Sequence, residues 1–590
     1  MSNTANPDFF KSKVLGHPAG LFVLFFTEMW ERFSFYGMRV LLVNFLTMAV
    51  VKDFNPGWGW SEENAGALFG TYAGLLYLTP ILGGMIADKI TGFRGAVIIG
   101  AAIMTLGHAS MALETEASLY IGLGLLVLGT GFFKPNITSI ISHMYKDLPE
   151  KKDGAYTIFY MGVNAGAFFG MMLCGYLAEK IGWSWGFGLA GIFMLLGTLQ
   201  FWLATPLFGA IGAKPIPETK EEKESKPKDY KPNHFTMVDK ILIGITSAIG
   251  LLYLINDPVS KIGEINLLPA EFILSADTLS GSAVIVLIGL ALFLVLMVTR
   301  ISRYEPVVRD RLIAVIIFAV FTVFFFMSFE QGASSLVIFA RDFTDRQLAG
   351  NSALIFNIFN AILTVVPLVI ITIVLARLFK VTFDRIKWSN IVLGATFVIM
   401  WGIVIWMLQR EFTSDVTEIT VSWFSILNSF FIIAFASFFS KWWDSKYNPS
   451  AALKYGLGLI ILGIGFGLLA YGSKDIPQGA QAGAVRVSMI WLILAYLFHT
   501  LGELCLSPVG LSYVSKLVPG RMIGLMFGMW YLAIAIGNKL AGTLGGEIKN
   551  IREAYDLSTY FLIFTLVPVV AGIVVILLNP MLKKLMHNVR

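Results

Sequence analysis

The chain is a succession of apolar runs of about 20 residues separated by short polar breaks. Such a run matches the roughly 30 Å hydrocarbon core of a bilayer at about 1.5 Å of helical rise per residue. The choice of folds therefore narrows to bundles of membrane-crossing helices. Composition agrees, because 56% of the 590 residues are hydrophobic and 14% charged, against about 25% charged in ordinary soluble chains. No water-soluble surface can be made from that mixture. The opening stretch MSNTANPDFFKSKVLGHPAG has no apolar segment ending in a small-residue cleavage site, so the first span is expected to be retained.

Six spans are expected between about Leu21 and Phe208, with breaks near Lys52, Gly92, Glu114, Lys151 and Gly182. The segment from Lys214 to Lys231, KPIPETKEEKESKPKDYK, is rich in Pro, Lys and Glu and reads as a solvated linker. Beyond it come helices near Phe235 to Ile255 and Ala283 to Val298, and a long one from Leu312 to Ala340. A hairpin of two more lies between Ala353 and Leu408, and five further spans reach about Leu585. The expectation is an all-α polytopic membrane protein of about sixteen helices, two six-helix bundles plus about four additional ones. Its parts are an N-terminal bundle (1–208), a cytoplasmic linker (209–234), two extra membrane helices (235–300) and a C-terminal bundle (301–590) with the hairpin inserted at about 353–410.

An even number of spans leaves both termini on one side. Lys11, Lys13, Lys89, Arg94, Lys146, Lys151, Lys152, Arg300, Arg303, Lys380, Arg385, Lys387, Lys441, Lys446, Lys516, Lys583 and Lys584 share that side with the basic linker, which makes it the cytoplasm of a plasma-membrane protein. Arg341, Arg346, Lys549 and Arg552 are exceptions, and the loop from Asp257 to Asp277 on the other side leans acidic. The net charge of +6 is thus a topological bias and calls for no nucleic-acid partner. Cys174 and Cys505 lie in separate apolar spans and suit neither a disulfide framework nor a zinc site. No metal-spaced histidine cluster, nucleophile elbow or phosphate loop is present, so neither an enzyme nor a cofactor is expected.

Charges in hydrocarbon cost about 3 kcal/mol or more each and face a partner or a watery path. The first span holds Glu28, Glu31, Arg32 and Arg39; Lys134, Glu330 and Glu503 sit in three others. Arg39 and Glu330 each lie 18 residues along their spans, about 27 Å from the terminal side, so they can meet. Lys134 and Glu503, 14 and 13 residues in from the other side, are both about 20 Å down and can meet at the opposite end. Two opposite-charge pairs between the same two halves at different depths are the elements of an alternating-access gate. Permanent pairs pinning the bundle are the competing reading, although a buried pair seldom adds net stability over an apolar one. Glu28, Arg32, Tyr36 and Arg39 form one stripe of the first helix with Glu31 beside it. Neighbouring charges set the proton affinity of such carboxylates, which permits proton coupling without a cofactor.

The stretch EMWERFSFYG, Glu28 to Gly37, closely resembles the ExxERFxYYG signature of the proton-coupled oligopeptide transporters of the major facilitator superfamily. YLTPILGGMIAD, GTGFFKPN, FYMGVNAGA, WGFGLAG, FEQGASS and GELCLSPVGLS look like further blocks of that family in family order. The resemblance implies a symporter of di- and tripeptides with protons, functional as a monomer in the lipid bilayer. It implies a pocket of Arg32, Tyr36, Tyr77, Lys134, Tyr160 and Asn164 from the first half and Asn428, Glu503, Ser507 and Trp530 from the second. Lys134 and Arg32 would attract the peptide carboxylate, Glu503 the amino terminus, and Asn164 and Asn428 the backbone. Proton coupling would fall to Glu28, Glu31, Arg32, Lys134 and Glu503, and gating to Arg39, Glu330, Lys134 and Glu503.

Three departures stand out. Phe35 replaces the first tyrosine of the signature, Gly70 stands where a histidine is often found, and the hairpin delays the asparagine-bearing helix. Asn428 in WFSILNSFFI fits that helix better, with Asn360 as the competing candidate. Tyr72 and His499 are open between pocket and packing roles. Gly83 and Gly84 are expected to allow close helix packing, with Asp88 pairing near Arg94. The competing functions are a transporter of another small anion or zwitterion, such as nitrate or an amino acid, and, further off, a channel or receptor.

Overall fold

The computed structural model describes residues 9–50, 55–214, 235–268, 271–274, 277–517 and 523–587; most of the expected linker, 215–234, lies outside the described residues. The first half is six helices: α1 (Ala19–Thr47), α2 (Glu62–Ile86), α3 (Gly92–Met111), α4 (Glu116–Met144), α5 (Lys152–Lys180) and α6 (Trp183–Ala204). Local chemistry sets their ends. Ser61 accepts a hydrogen bond from the Asn64 amide at the start of α2, and Thr115 and Ser118 form a capping box at the start of α4. A π turn over Ala87–Thr91 and Gly92 at φ +70° make the corner between α2 and α3, a backbone state that favours glycine.

After the linker come two added helices, α7 (Met237–Ile262) and α8 (Gly281–Ile301), and the second half then begins with α9 (Pro306–Phe329) and a short α10 (Ser335–Asp342). Then come α11 (Asn351–Thr382), α12 (Lys387–Phe412), α13 (Val421–Trp443), α14 (Ala451–Gly472), α15 (Ile490–Leu517), α16 (Ile523–Gly546), α17 (Ile548–Ala554), α18 (Leu557–Leu577) and α19 (Asn579–Leu585). Among the described residues 13 segments are long and apolar enough to cross a membrane, with α2 and α3 joined as one. Separating those two, and adding α1 and α16 by length, brings the spans to sixteen. The chain is a helical membrane bundle, as its sequence predicts.

Three expectations are corrected. The long helix foreseen from Leu312 to Ala340 starts at Pro306 and breaks after Phe329 into a 3₁₀ turn, Glu330–Ala333. Gln331 holds the break open: its amide donates to the carbonyls of Met327 (3.2 Å) and Ala541 (3.0 Å), and its oxygen accepts from the hydroxyls of Ser335 (2.5 Å) and Tyr560 (3.1 Å). Secondly, α7 runs to Ile262 rather than ending near Ile255, which takes Asp257 out of a loop and into the helix. Thirdly, Arg94 donates to the carbonyl of Thr205 (3.0 Å), and no Asp88–Arg94 ion pair is found among the described residues.

The inserted hairpin, α11 and α12, comes from the second half of the sequence but packs on the first. Phe397 sits edge-on to Phe26 and Trp30 (5.6 Å each), and Ser389 donates to the carbonyl of Gln200 (2.7 Å). Its two connections to the second half pair as an antiparallel ribbon, Gln347–Ala349 against Val416–Glu418, closed by an Arg346–Glu418 ion pair (3.1 Å).

Glycines set the helix spacing. A Cβ on Gly83 would run into the carbonyl of Gly131 on α4, whereas one on Gly84 would meet nothing nearer than Pro135 at 3.9 Å. Close packing of α2 on α4 thus depends on Gly83 and not on Gly84. Gly83→Val should therefore destabilise the protein by about 1–3 kcal/mol through overpacking, lowering the melting temperature in detergent, while Gly84→Val leaves it near wild type. Equal melting of the two variants would contradict this packing.

Candidate functional site

Between the two halves lies a cavity of about 360 Å³, within the usual range of roughly 300–1,000 Å³ for small-molecule sites. All ten residues expected in the pocket line it: Arg32, Tyr36, Tyr77, Lys134, Tyr160 and Asn164 on one side, and Asn428, Glu503, Ser507 and Trp530 on the other. The helical register of α1 explains the first group. Arg32, Tyr36 and Arg39 point into the cavity, while Glu28 and Glu31 stand behind Arg32 and are buried.

Arg32 is held by both carboxylates. Its Nε pairs with Glu28 at 3.0 Å and with Glu31, and its Nη2 donates to Glu31 at 2.8 Å. The Lys134 ammonium lies over the Tyr77 ring, 4.6 Å from its centroid. Glu503 accepts a hydrogen bond from the Asn428 amide (2.9 Å), which also donates to Thr500 (3.1 Å). One wall of the cavity is therefore cationic and the facing wall carries a carboxylate.

The two expected charge pairs differ. Arg39, partly exposed to the cavity, and the buried Glu330 form an ion pair between α1 and the 3₁₀ turn, with Arg39 also over the Tyr36 and Phe69 rings (5.8 and 5.9 Å). Lys134 and Glu503 make no ion pair among the described residues; the expected second contact is absent in this conformation, and each charge has another partner. The halves are joined on the side of Glu330, away from the termini. There Arg341 donates to the Thr47 hydroxyl (2.7 Å), and the Glu179 carboxylate at the end of α5 accepts from the amides of Val421 and Ser422 (2.8 and 3.0 Å), capping α13. Contacts between the halves close the cavity on the side of Glu330, and Lys134 and Glu503 do not meet.

The open assignments resolve. Asn428 lines the cavity, whereas Asn360 lies outside it and accepts from the Trp423 indole (3.2 Å). Tyr72 is buried away from the cavity; His499 lies in its wall, packed on Phe466 at 4.3 Å. Sequence reasoning missed Tyr496, whose hydroxyl donates to the Gly332 carbonyl (3.2 Å) in the cavity wall. It also missed the buried Lys539 and the partly exposed Glu179. Lys539, in the apolar run LAIAIGNKLAG, carried a signal that the depth count used for Lys134 would have caught.

Residues 94–224 and 402–563 match the sequence profile of the POT family. The chain is 32% identical over 582 residues to the peptide transporter YePEPT of Yersinia enterocolitica, covering 97% of this chain and 96% of that one. It is 26% identical to a di-/tripeptide transporter of Lactococcus lactis, with 98% of each chain covered. A crystal structure of a peptide transporter POT in complex with sulfate superposes with a TM-score of 0.70 at 27% identity, covering 98% of both chains.

The Arg39–Glu330 pair generates a direct test. Arg39→Met leaves the buried Glu330 carboxylate uncompensated and should cost about 3–5 kcal/mol. Glu330→Leu, which leaves the partly exposed Arg39, should cost less, and the double variant should cost much less than the sum of the two. Unfolding of the detergent-solubilised protein measures all three, and losses that simply add in the double variant would show that the charges act independently.

Proposed function

Because this chain belongs to the POT family, a family of transporters and not of enzymes, we propose that it is a proton-coupled symporter that imports di- and tripeptides by alternating access. The observation that carries this reading is the charge-divided cavity between the halves, shut at one end by Arg39 and Glu330 and with Lys134 and Glu503 apart at the other. A small peptide is a zwitterion, and a wall bearing Arg32 and Lys134 opposite one bearing Glu503 suits its two ends. Asn164 and Asn428 offer amides to its backbone, and Tyr36, Tyr77, Tyr160 and Trp530 wall its side chains.

Protons enter through carboxylates that exchange partners. Glu28 and Glu31 compete for Arg32, and Glu503 shares its oxygen with Asn428 while Lys134 is away. Protonation of Glu503 removes the charge that Lys134 would seek, and deprotonation restores it, so release of the proton favours closure of the Lys134–Glu503 end. No cofactor enters this cycle. The lysines and arginines gathered on the terminal side support cytoplasmic termini, the family supports a plasma-membrane location, and a cavity lying within one chain supports function as a monomer.

Purified protein in liposomes should concentrate a labelled dipeptide when the outside is acidic or the inside negative. Uptake indifferent to both would overturn proton coupling, and dialanine that fails to compete where nitrate or free alanine succeeds would overturn the peptide. Lys134→Ala and Glu503→Ala should each abolish concentrative uptake while partly sparing exchange across equal peptide concentrations. Full gradient-driven uptake in either variant would remove that residue from the mechanism.

A further inference from the structure

We infer that Lys539 and Asp257 form a second gate on the side away from the termini, and that α7 travels with the first half as the carrier of its counter-ion. Lys539 projects from α16 of the second half and is 4% exposed. Its ammonium pairs with Asp257 on α7 and donates to the Thr71 hydroxyl (3.0 Å) and the Ala67 carbonyl (3.3 Å) on α2. These partners all lie on α2 and α7, across the seam from the lysine. A cation in hydrocarbon is tolerated only with such partners.

α7 is fastened to α2 at two points. The Thr71 hydroxyl donates to the Leu254 carbonyl (2.8 Å), and Lys261 pairs with Glu63 (3.2 Å) while also approaching Asp257 (3.5 Å). Asp257 therefore moves with α2 and Lys539 with α16. The seam between them is closed by glycines. A Cβ on Gly70 would lie 2.8 Å from the Lys539 carbonyl oxygen and 3.1 Å from Gly542 Cα, and Gly66 faces Gly542 and Gly546 in the same way. No side chain fits at position 70 while the seam is closed, and the charged group at this level comes from the opposite helix.

Opening the cavity to this side separates α2 from α16, and Lys539 then loses all its partners together and must be taken up by water. The pair is thus made in one state and broken in the other. A buried pair adds little net stability over apolar packing, but a buried charge stripped of its partner is strongly unfavourable. The two members therefore act in opposite directions. Asp257→Asn leaves a bare lysine in the closed seam and favours opening. Lys539→Met leaves apolar packing that has no hydrated form to gain, and Asp257 keeps Lys261, so the seam stays shut.

This inference rests on the alternating-access reading, but its test needs no peptide. Spin labels at Trp185 and Tyr555, exposed residues on that side in the first and second halves, report the opening as a distance distribution in liposomes. Asp257→Asn should raise the long-distance fraction by about threefold or more, Lys539→Met should lower it, and the exchanged pair Asp257→Lys with Lys539→Asp should return it toward wild type. Shifts in one common direction would mark general loosening and overturn the gate, as would distributions unchanged throughout. Should Asp257→Asn fail to fold, the remaining two variants decide, since a gate requires Lys539→Met to lose the long-distance population and the exchanged pair to keep it.

Discussion

A charge inside hydrocarbon must have a partner, and this molecule supplies three of its charges with partners across the line where its two halves meet. Arg39 finds Glu330, Lys539 finds Asp257 and Glu179 finds the bare amides that start α13. The apolar helices around them are interchangeable in chemistry, since lipid is as good a neighbour as another leucine. What fixes one arrangement of the halves is the polar inventory on the seam and the glycines that let the seam close.

Much of this is readable in the sequence because spanning length and charge are local properties. The spans and the depth match of Arg39 with Glu330 follow from counting at helical rise, whereas the pocket residues on α1 follow from the resemblance of EMWERFSFYG to a family signature. The break after Phe329 does not, because it depends on Gln331 meeting the Ala541 carbonyl and the Tyr560 hydroxyl, groups more than 200 residues away. The extension of α7 was hidden by Asp257 and Lys261, which look like a polar loop until Lys539 and Glu63 are placed beside them. Lys134 and Glu503 are apart for another reason: counting along each helix gives their depths but not the lateral distance between the helices, and each charge has a partner in its own half.

Gly70 shows how a departure from a family pattern can be a packing statement. With no side chain there, α2 and α16 approach until backbone meets backbone. The polar group at that level comes from α16 as Lys539, and its counter-ion from a helix that the two six-helix bundles do not include. The added pair α7 and α8 thus contributes to the ionic lattice of the seam rather than only covering its edge.

The ribbon that joins the inserted hairpin to the second half has a mechanical meaning. The hairpin lies on α1 and α6, yet both strands leading to it, 343–350 and 413–420, leave from second-half helices and are zipped to each other by backbone hydrogen bonds. In the alternating-access cycle proposed above, a rocking second half would pull on the first through this doubled stalk as well as through the linker, and the zipped pair cannot lengthen as two independent threads would. Such a stalk would act as a leash of set length, and a rebuilt one would change the reach between hairpin and second half without altering a residue of the cavity.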